Sequence, residues 1–314
     1  MRSLAFAAIA LALPLKGQVK LTQGTDRIIV DIDGKPFTAL FTGADVAKPY
    51  LHPLRAASGK QVSRSYPMEV VAGEAKDHPH QRGMYFAHGD VNSLDFWANE
   101  ASQKGTPAGG KGFVITRKIT AVESGKKSGK IGVTFEWQDA KGNGLLTENR
   151  TIVFYADPKD RTMDWDIRLT ALAPVSFNDT KEGTFAVRLA TALEEKHSGK
   201  MHSAEGGDGE KQVWGKRSPW VDYAGVIDGE PLGIAILDHP TNPRHPTYWH
   251  SRGYGLFAAN IFGVHDFEND KSKDGKLELP KGESIRFRYR VIIHPGDHAA
   301  AGISERFKKY AAIK

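Results

Sequence analysis

The sequence predicts a single all-β domain closed by one C-terminal helix. Three observations carry this. Apolar runs rich in Val, Ile and Phe recur along the chain, several with two-residue alternation. Short turns built on Asp-Gly or on clustered Gly and Asn separate many of them. Only residues 297–312 carry a helical stripe, with Ile303, Phe307 and Tyr310 on one face and Asp297 placed to cap it.

The elements follow in order. Residues 1–17 place Arg2 before a short apolar run, then Pro14 and Gly17, the shape of a signal peptide. The run is too short for a stable membrane span, and no later stretch reaches that length. The expected product is an exported, periplasmic or extracellular protein whose single domain covers 18–314. Residues 27–42 form a hairpin around Asp33-Gly34. Residues 45–67 hold Pro49, Pro53 and Pro67 and read as extended and turn segments. A glycine-rich loop, Lys104 to Gly112, is either a flap over a cleft or an idle insertion.

Strands are expected over 113–123, 131–138, 145–155 and 162–171, as in a long antiparallel sheet. Another starts near Lys181, with Glu182 at its mouth. Residues 196–213 read as a loop. Residues 219–227 and 232–238 pair around Asp228-Gly229. A buried-type strand follows Gly255, then a charged loop from Asp266 to Lys276. The strongly alternating stretch 284–293 is the last strand.

Composition excludes several functions. The chain has 314 residues and no cysteine, which removes thiolate metal sites, cysteine nucleophiles and disulfides. The net charge of +6 is scattered, a solvated basic surface rather than a nucleic-acid footprint. No phosphate-binding glycine loop, Gly-x-Ser-x-Gly elbow or His-Glu-x-x-His helix occurs.

The chemistry concentrates in residues 74–97, which hold three of the twelve histidines, His78, His80 and His88, beside Asp77, Arg82, Asp90, Asp95 and Trp97. Residues 238–252 form a second cluster that includes Trp249, His250 and Arg252. The two are expected to meet in one cleft. On an extended backbone His78 and His80 face the same side. Such a pair suits proton transfer, or a metal with His88 as third ligand. Zinc, copper or calcium is the possible divalent metal. Arg64, Arg82 and Arg252 can hold a carboxylate, and Trp97 and Trp249 can stack on a sugar face. A polar cleft edged with aromatics suits a saccharide better than a lipid, a nucleotide or a peptide.

The runs Asp77-His78-Pro79-His80-Gln81-Arg82-Gly83, Phe86 to Asn92 and Asp95-Phe96-Trp97 resemble the hallmark of a bacterial family labelled PmoA-like, or methane oxygenase PmoA. Lys48 to Pro53, Glu69 to Lys76, His245 to His250 and Gly255 to Asn260 extend the resemblance from about residue 27 to the C-terminal helix. A membrane-bound methane oxygenase subunit shares that name, and the label is read here as inherited. The resemblance implies a large antiparallel β-sandwich of the galactose-mutarotase-like supersandwich type. Sites of that type commonly pair histidines with a carboxylate. His78, His80, His88, Glu182 and His250 are the candidates for such catalytic roles, and Arg64, Arg82, Asp95, Trp97, Trp249 and Arg252, by their own chemistry, for binding substrate. The function expected is an exported carbohydrate-active hydrolase, lyase or isomerase that acts on a saccharide or sugar acid in this histidine-rich cleft. The alternatives are a carbohydrate-binding protein without chemistry and a histidine-ligated copper or zinc protein of oxidase type.

Overall fold

Two-residue alternation gives each strand one apolar face, and two sheets bury those faces against each other. The computed structural model describes residues 17–103 and 109–314. The expected signal peptide therefore lies outside the described residues except for Gly17, as does much of the glycine-rich loop.

Among the described residues, one sheet has nine strands, all antiparallel. In spatial order they are Tyr248–Ser251, Leu256–Asn260, Gly183–Arg188, Met84–His88, Tyr50–His52, Lys35–Phe41, Arg27–Ile32, Gln18–Gln23 and Gly125–Lys126. The other has eight: Lys200–Ser203, Trp220–Ile227, Glu230–Asp238, Ser284–Pro295, Arg161–Ala171, Gly144–Tyr155, Ser128–Asp139 and Gly112–Glu123. A two-stranded pair, Val175–Phe177 with Leu277–Leu279, lies apart. The fold is an antiparallel β-sandwich with a C-terminal helix.

The inner faces interlock through aromatic rings. Phe86 lies 6.1 Å from Trp137 and 5.3 Å from Phe287. Phe185 stacks on Tyr289 at 4.3 Å and meets Trp165 edge-on at 5.1 Å. The expected hairpins at Asp33-Gly34 and Asp228-Gly229 are both present.

Two expectations change. The helix runs Ile303–Ala311, because Asp297 closes a separate turn by accepting the Ala299 and Ala300 amides, and Gly302 is left-handed at φ 61°. Its Ile303 and Tyr310 are buried against Trp220, Leu237 and Ile292. The loop expected over 196–213 contains an edge strand, Lys200–Ser203, and a short helix, Glu210–Val213. That strand exists through pairing with Trp220–Ile227, a partner no local pattern displays. Among the described residues, no helix is long and apolar enough to cross a membrane.

Candidate functional site

The outer face of the nine-stranded sheet carries the cleft. Register fixes its floor: His250 pairs with Ala258, Ala258 with Ala186, and Ala186 with Tyr85. Paired residues point to the same side of a sheet. Two alanines between an imidazole and a phenol leave a trough. Loops 77–82, 89–98 and 179–182, with Arg252 and Tyr254, raise its walls around about 790 Å³.

Both sequence clusters contribute. His78, His80, Asp95 and Trp97 come from the first, and His250 and Arg252 from the second. Glu182 joins them from the mouth of Gly183–Arg188. A side chain on Gly89 would lie 2.8 Å from the Glu182 Cβ, so the glycine permits this close approach. His78 and His80 are neighbours, their rings 5.6 Å apart, but not through extended backbone. The Gln81 amide bonds the His78 carbonyl at 3.0 Å, closing a turn over Pro79 and His80.

His78 is held from behind. Its Nδ1 lies 2.7 Å from Asp77 Oδ2. A carboxylate only accepts, so in the neutral ring Nδ1 carries the hydrogen and Nε2 is bare. Asp77 Oδ1 in turn accepts from Arg64 at 2.6 Å and from Arg188 at 3.2 Å, both arginines fully buried. Burial works to raise the Asp77 carboxyl; Arg188, the His78 bond and Arg64 outweigh it and hold it below the usual value. The His78 ring stacks on Tyr254 at 5.4 Å.

His250 repeats the pattern with a weaker anchor. Its Nδ1 donates to the Lys181 carbonyl at 2.8 Å, again leaving Nε2 bare. Burial lowers this imidazole's pKa. Asp95 Oδ1 accepts the Trp97 and Ala98 amides at 2.8 and 2.7 Å, and burial raises its carboxyl. Its Oδ2 has no partner among the described residues. Lys181 and Arg252 are paired, with Glu182 at 3.4 Å and Glu210 at 2.8 Å.

Four expected residues lie elsewhere. His88 and Trp249 fall on the inner-facing positions of their strands. His88 packs on Phe262 at 4.5 Å, donates Nε2–H to the Asn178 carbonyl at 2.8 Å, and is pulled down to about 4 by burial. Trp249 is fully buried and donates to the Ser218 carbonyl at 2.9 Å. Arg64 reaches Asp77 and the Ala75 and His78 carbonyls, and so acts behind the cleft. Arg82 pairs with Glu100 at 2.9 Å and lines a separate cavity. With His88 turned inward, His78, His80 and His88 do not form a ligand set, and among the described residues no group of three or more His, Cys, Asp or Glu is placed to hold a metal.

Sequence reasoning missed Lys181, Arg188, Tyr254 and Tyr85. Arg188 had a visible signal, a lone charge ending the apolar run Phe185-Ala186-Val187. The downstream histidines His239 and His245 bind the Ile313 carbonyl and Asp238, away from the cleft.

Residues 27–308 match a family of unknown function, DUF6807. The chain belongs to that family. No curated protein matches DUF6807's present member by sequence. Three solved structures are similar in chain course. The heparan sulfate lyase HepC from Pedobacter heparinus is 10% identical, with a TM-score of 0.40, over 90% of this chain and 36% of its own. The GH36 α-galactosidase AgaB from Geobacillus stearothermophilus is 9% identical, with a TM-score of 0.42, over 89% and 41%. A galactose mutarotase-like protein from Lactobacillus casei is 6% identical, with a TM-score of 0.39, over 88% and 100%. The chain thus spans about two fifths of the lyase and galactosidase chains. No residue role is carried over from them.

Proposed function

We propose that the cleft is the active site of an enzyme that transfers protons on a neutral saccharide, as a hydrolase, lyase or isomerase. The observation that carries this is His78, anchored at Nδ1 by a carboxylate that two buried arginines hold in place. Such an anchor orients the ring and stabilises the imidazolium formed when Nε2 takes a proton. Asp95, raised by burial, is the complementary acid. Glu182 and His250 Nε2 are further groups able to bond substrate hydroxyls. A neutral sugar is favoured over a sugar acid because the lining cations Lys181 and Arg252 already have carboxylate partners. The N-terminal apolar run makes export part of this proposal.

The test is mass spectrometry and NMR on neutral oligosaccharides incubated with the protein, with His78→Ala as control. Fragments gaining one water mean hydrolysis, fragments summing to the substrate mean elimination, and unchanged mass with altered NMR signals means isomerisation. His78→Ala is expected to lower the rate by about 10²- to 10⁴-fold. An unreactive wild type that still binds glycan makes this a binding protein. Unchanged turnover in His78→Ala removes His78 from the chemistry.

A further inference from the structure

Three side chains beside the cleft floor are buried and, among the described residues, lack hydrogen-bond partners. His80 is 4% exposed; among the described residues neither ring nitrogen has a hydrogen bond of good geometry, and the side chain it faces, Gln103, has its own Oε1 unbonded. Trp97 is 1% exposed, and its Nε1–H is unbonded. Tyr85 is fully buried, and its hydroxyl is unbonded. The three adjoin: Trp97 lies 5.0 Å from Tyr85 and 6.2 Å from His80, ring to ring. His80 and Trp97 line the cleft, and Tyr85 stands on the sheet row that forms its floor.

Leaving one such group unpaired in a protein interior is costly, and leaving three together is rare without something to bond them. Their joint chemistry is specific. Trp97 can only donate, a neutral imidazole donates once and accepts once, and a phenol does either. A carboxylate would need a nearby cation. The buried cations near them are already engaged: Lys48 donates to the Trp97 carbonyl and to Asn99 Oδ1, both at 2.8 Å, and Arg64 and Arg188 share Asp77. A hydroxyl, one donor and two acceptor positions, can bond Trp97 Nε1, the Tyr85 hydroxyl and one of the two His80 nitrogens.

We propose that His80, Trp97 and Tyr85 form a specificity pocket for one uncharged hydroxyl of the substrate. This rests on the reading of the cleft as a saccharide site. The residues select substrate rather than transfer its protons.

The experiment is calorimetric titration of wild type, Tyr85→Phe and Trp97→Phe with neutral monosaccharides and disaccharides. The deoxy analogues and the matching uronate of the best-bound sugar are then titrated. One deoxy position is expected to lose about tenfold or more in wild type. The same position should lose little further in Tyr85→Phe or Trp97→Phe, because the partner has gone from both sides. The deoxy series on wild type needs no variant, so a misfolded substitution leaves the test intact. A sugar that binds without any deoxy position coupling to these residues, or a uronate that binds tighter, overturns the pocket alone. No binding by any neutral sugar overturns the saccharide reading and the pocket with it.

Discussion

The two outer faces of the sandwich treat polar side chains in opposite ways. On the eight-stranded sheet they are partnered across strands: Arg290 with Asp164 at 2.6 Å, Tyr155 with Asp164 at 2.8 Å, Thr134 with Asn149 at 2.9 Å. Even the buried His294 has Asp222 at 2.9 Å. Over the nine-stranded sheet, Tyr85 on its strand and His80 and Trp97 in the loops above it have none among the described residues. Both outer faces bury polar atoms, and among the described residues only one satisfies them internally; the unbonded atoms of the eight-stranded sheet, on Arg150, Arg161 and Trp165, lie on its inner face. Partnered groups hold a fold together, whereas orphaned groups beside a cleft are held ready for something that is not protein.

The comparison breaks most visibly in activity. Asp77→Asn removes the anchor of His78 without changing its volume, and turnover on a saccharide substrate is expected to fall about 10²-fold or more; buried Arg64 and Arg188 lose their charged partner in the same change, so melting is expected to fall as well, by up to about 3 kcal/mol of stability. On the other face the loss is in stability. Asp222→Ala strands buried His294 and is expected to cost about 3 kcal/mol in denaturant titration.

Acid separates the faces by sign. Burial pulls His52 and His88 down to about 4 and His80 down to about 3, all against 6.5 in the unfolded chain. Between those values the unfolded chain binds more protons. The stability tied to these groups is therefore complete above about pH 6.5 and is lost as pH falls, by on the order of 3 kcal/mol each for His52 and His88 at pH 4. His294 runs the other way. Burial would lower it, but the Asp222 carboxylate outweighs that and raises it, so its contribution is present in acid and lost as pH rises through the folded value. Urea titrations at pH 7 and pH 4.5 are expected to show a net loss in acid, and Asp222→Ala should steepen it.

A tyrosine pair gives a smaller contrast. Tyr155→Phe breaks a bond to Asp164 and should cost about 1 kcal/mol, whereas Tyr85→Phe removes an unbonded hydroxyl and should be neutral or slightly stabilising. The smallest effect is expected at Arg286→Ala. Its pair with Asp166 is half exposed on both sides and should contribute under about 1 kcal/mol.

Much of this was legible in the sequence, for a physical reason. Alternation and Asp-Gly turns are local, so most long strands, both hairpins and the helical stripe could be read directly. The meeting of two histidine-bearing clusters could also be anticipated from composition. Face assignment could not. His250 and Trp249 are adjacent in sequence and point to opposite sides of one strand, and His88 differs from Tyr85 in the same way. A one-residue error in register exchanges site for core. The anchors Arg64 and Arg188 were equally hidden, since an arginine that aims a carboxylate looks in sequence like one that binds substrate.

The account stands most directly on bare Nε2 atoms facing the cleft. Long-range proton–nitrogen NMR on protein with labelled histidines reads the tautomer of each neutral ring. The account predicts Nδ1–H for His78 and His250, with their Nε2 signals moving when a saccharide binds. Hydrogen on Nε2 in both rings, or Nε2 signals indifferent to every sugar that binds, would contradict it.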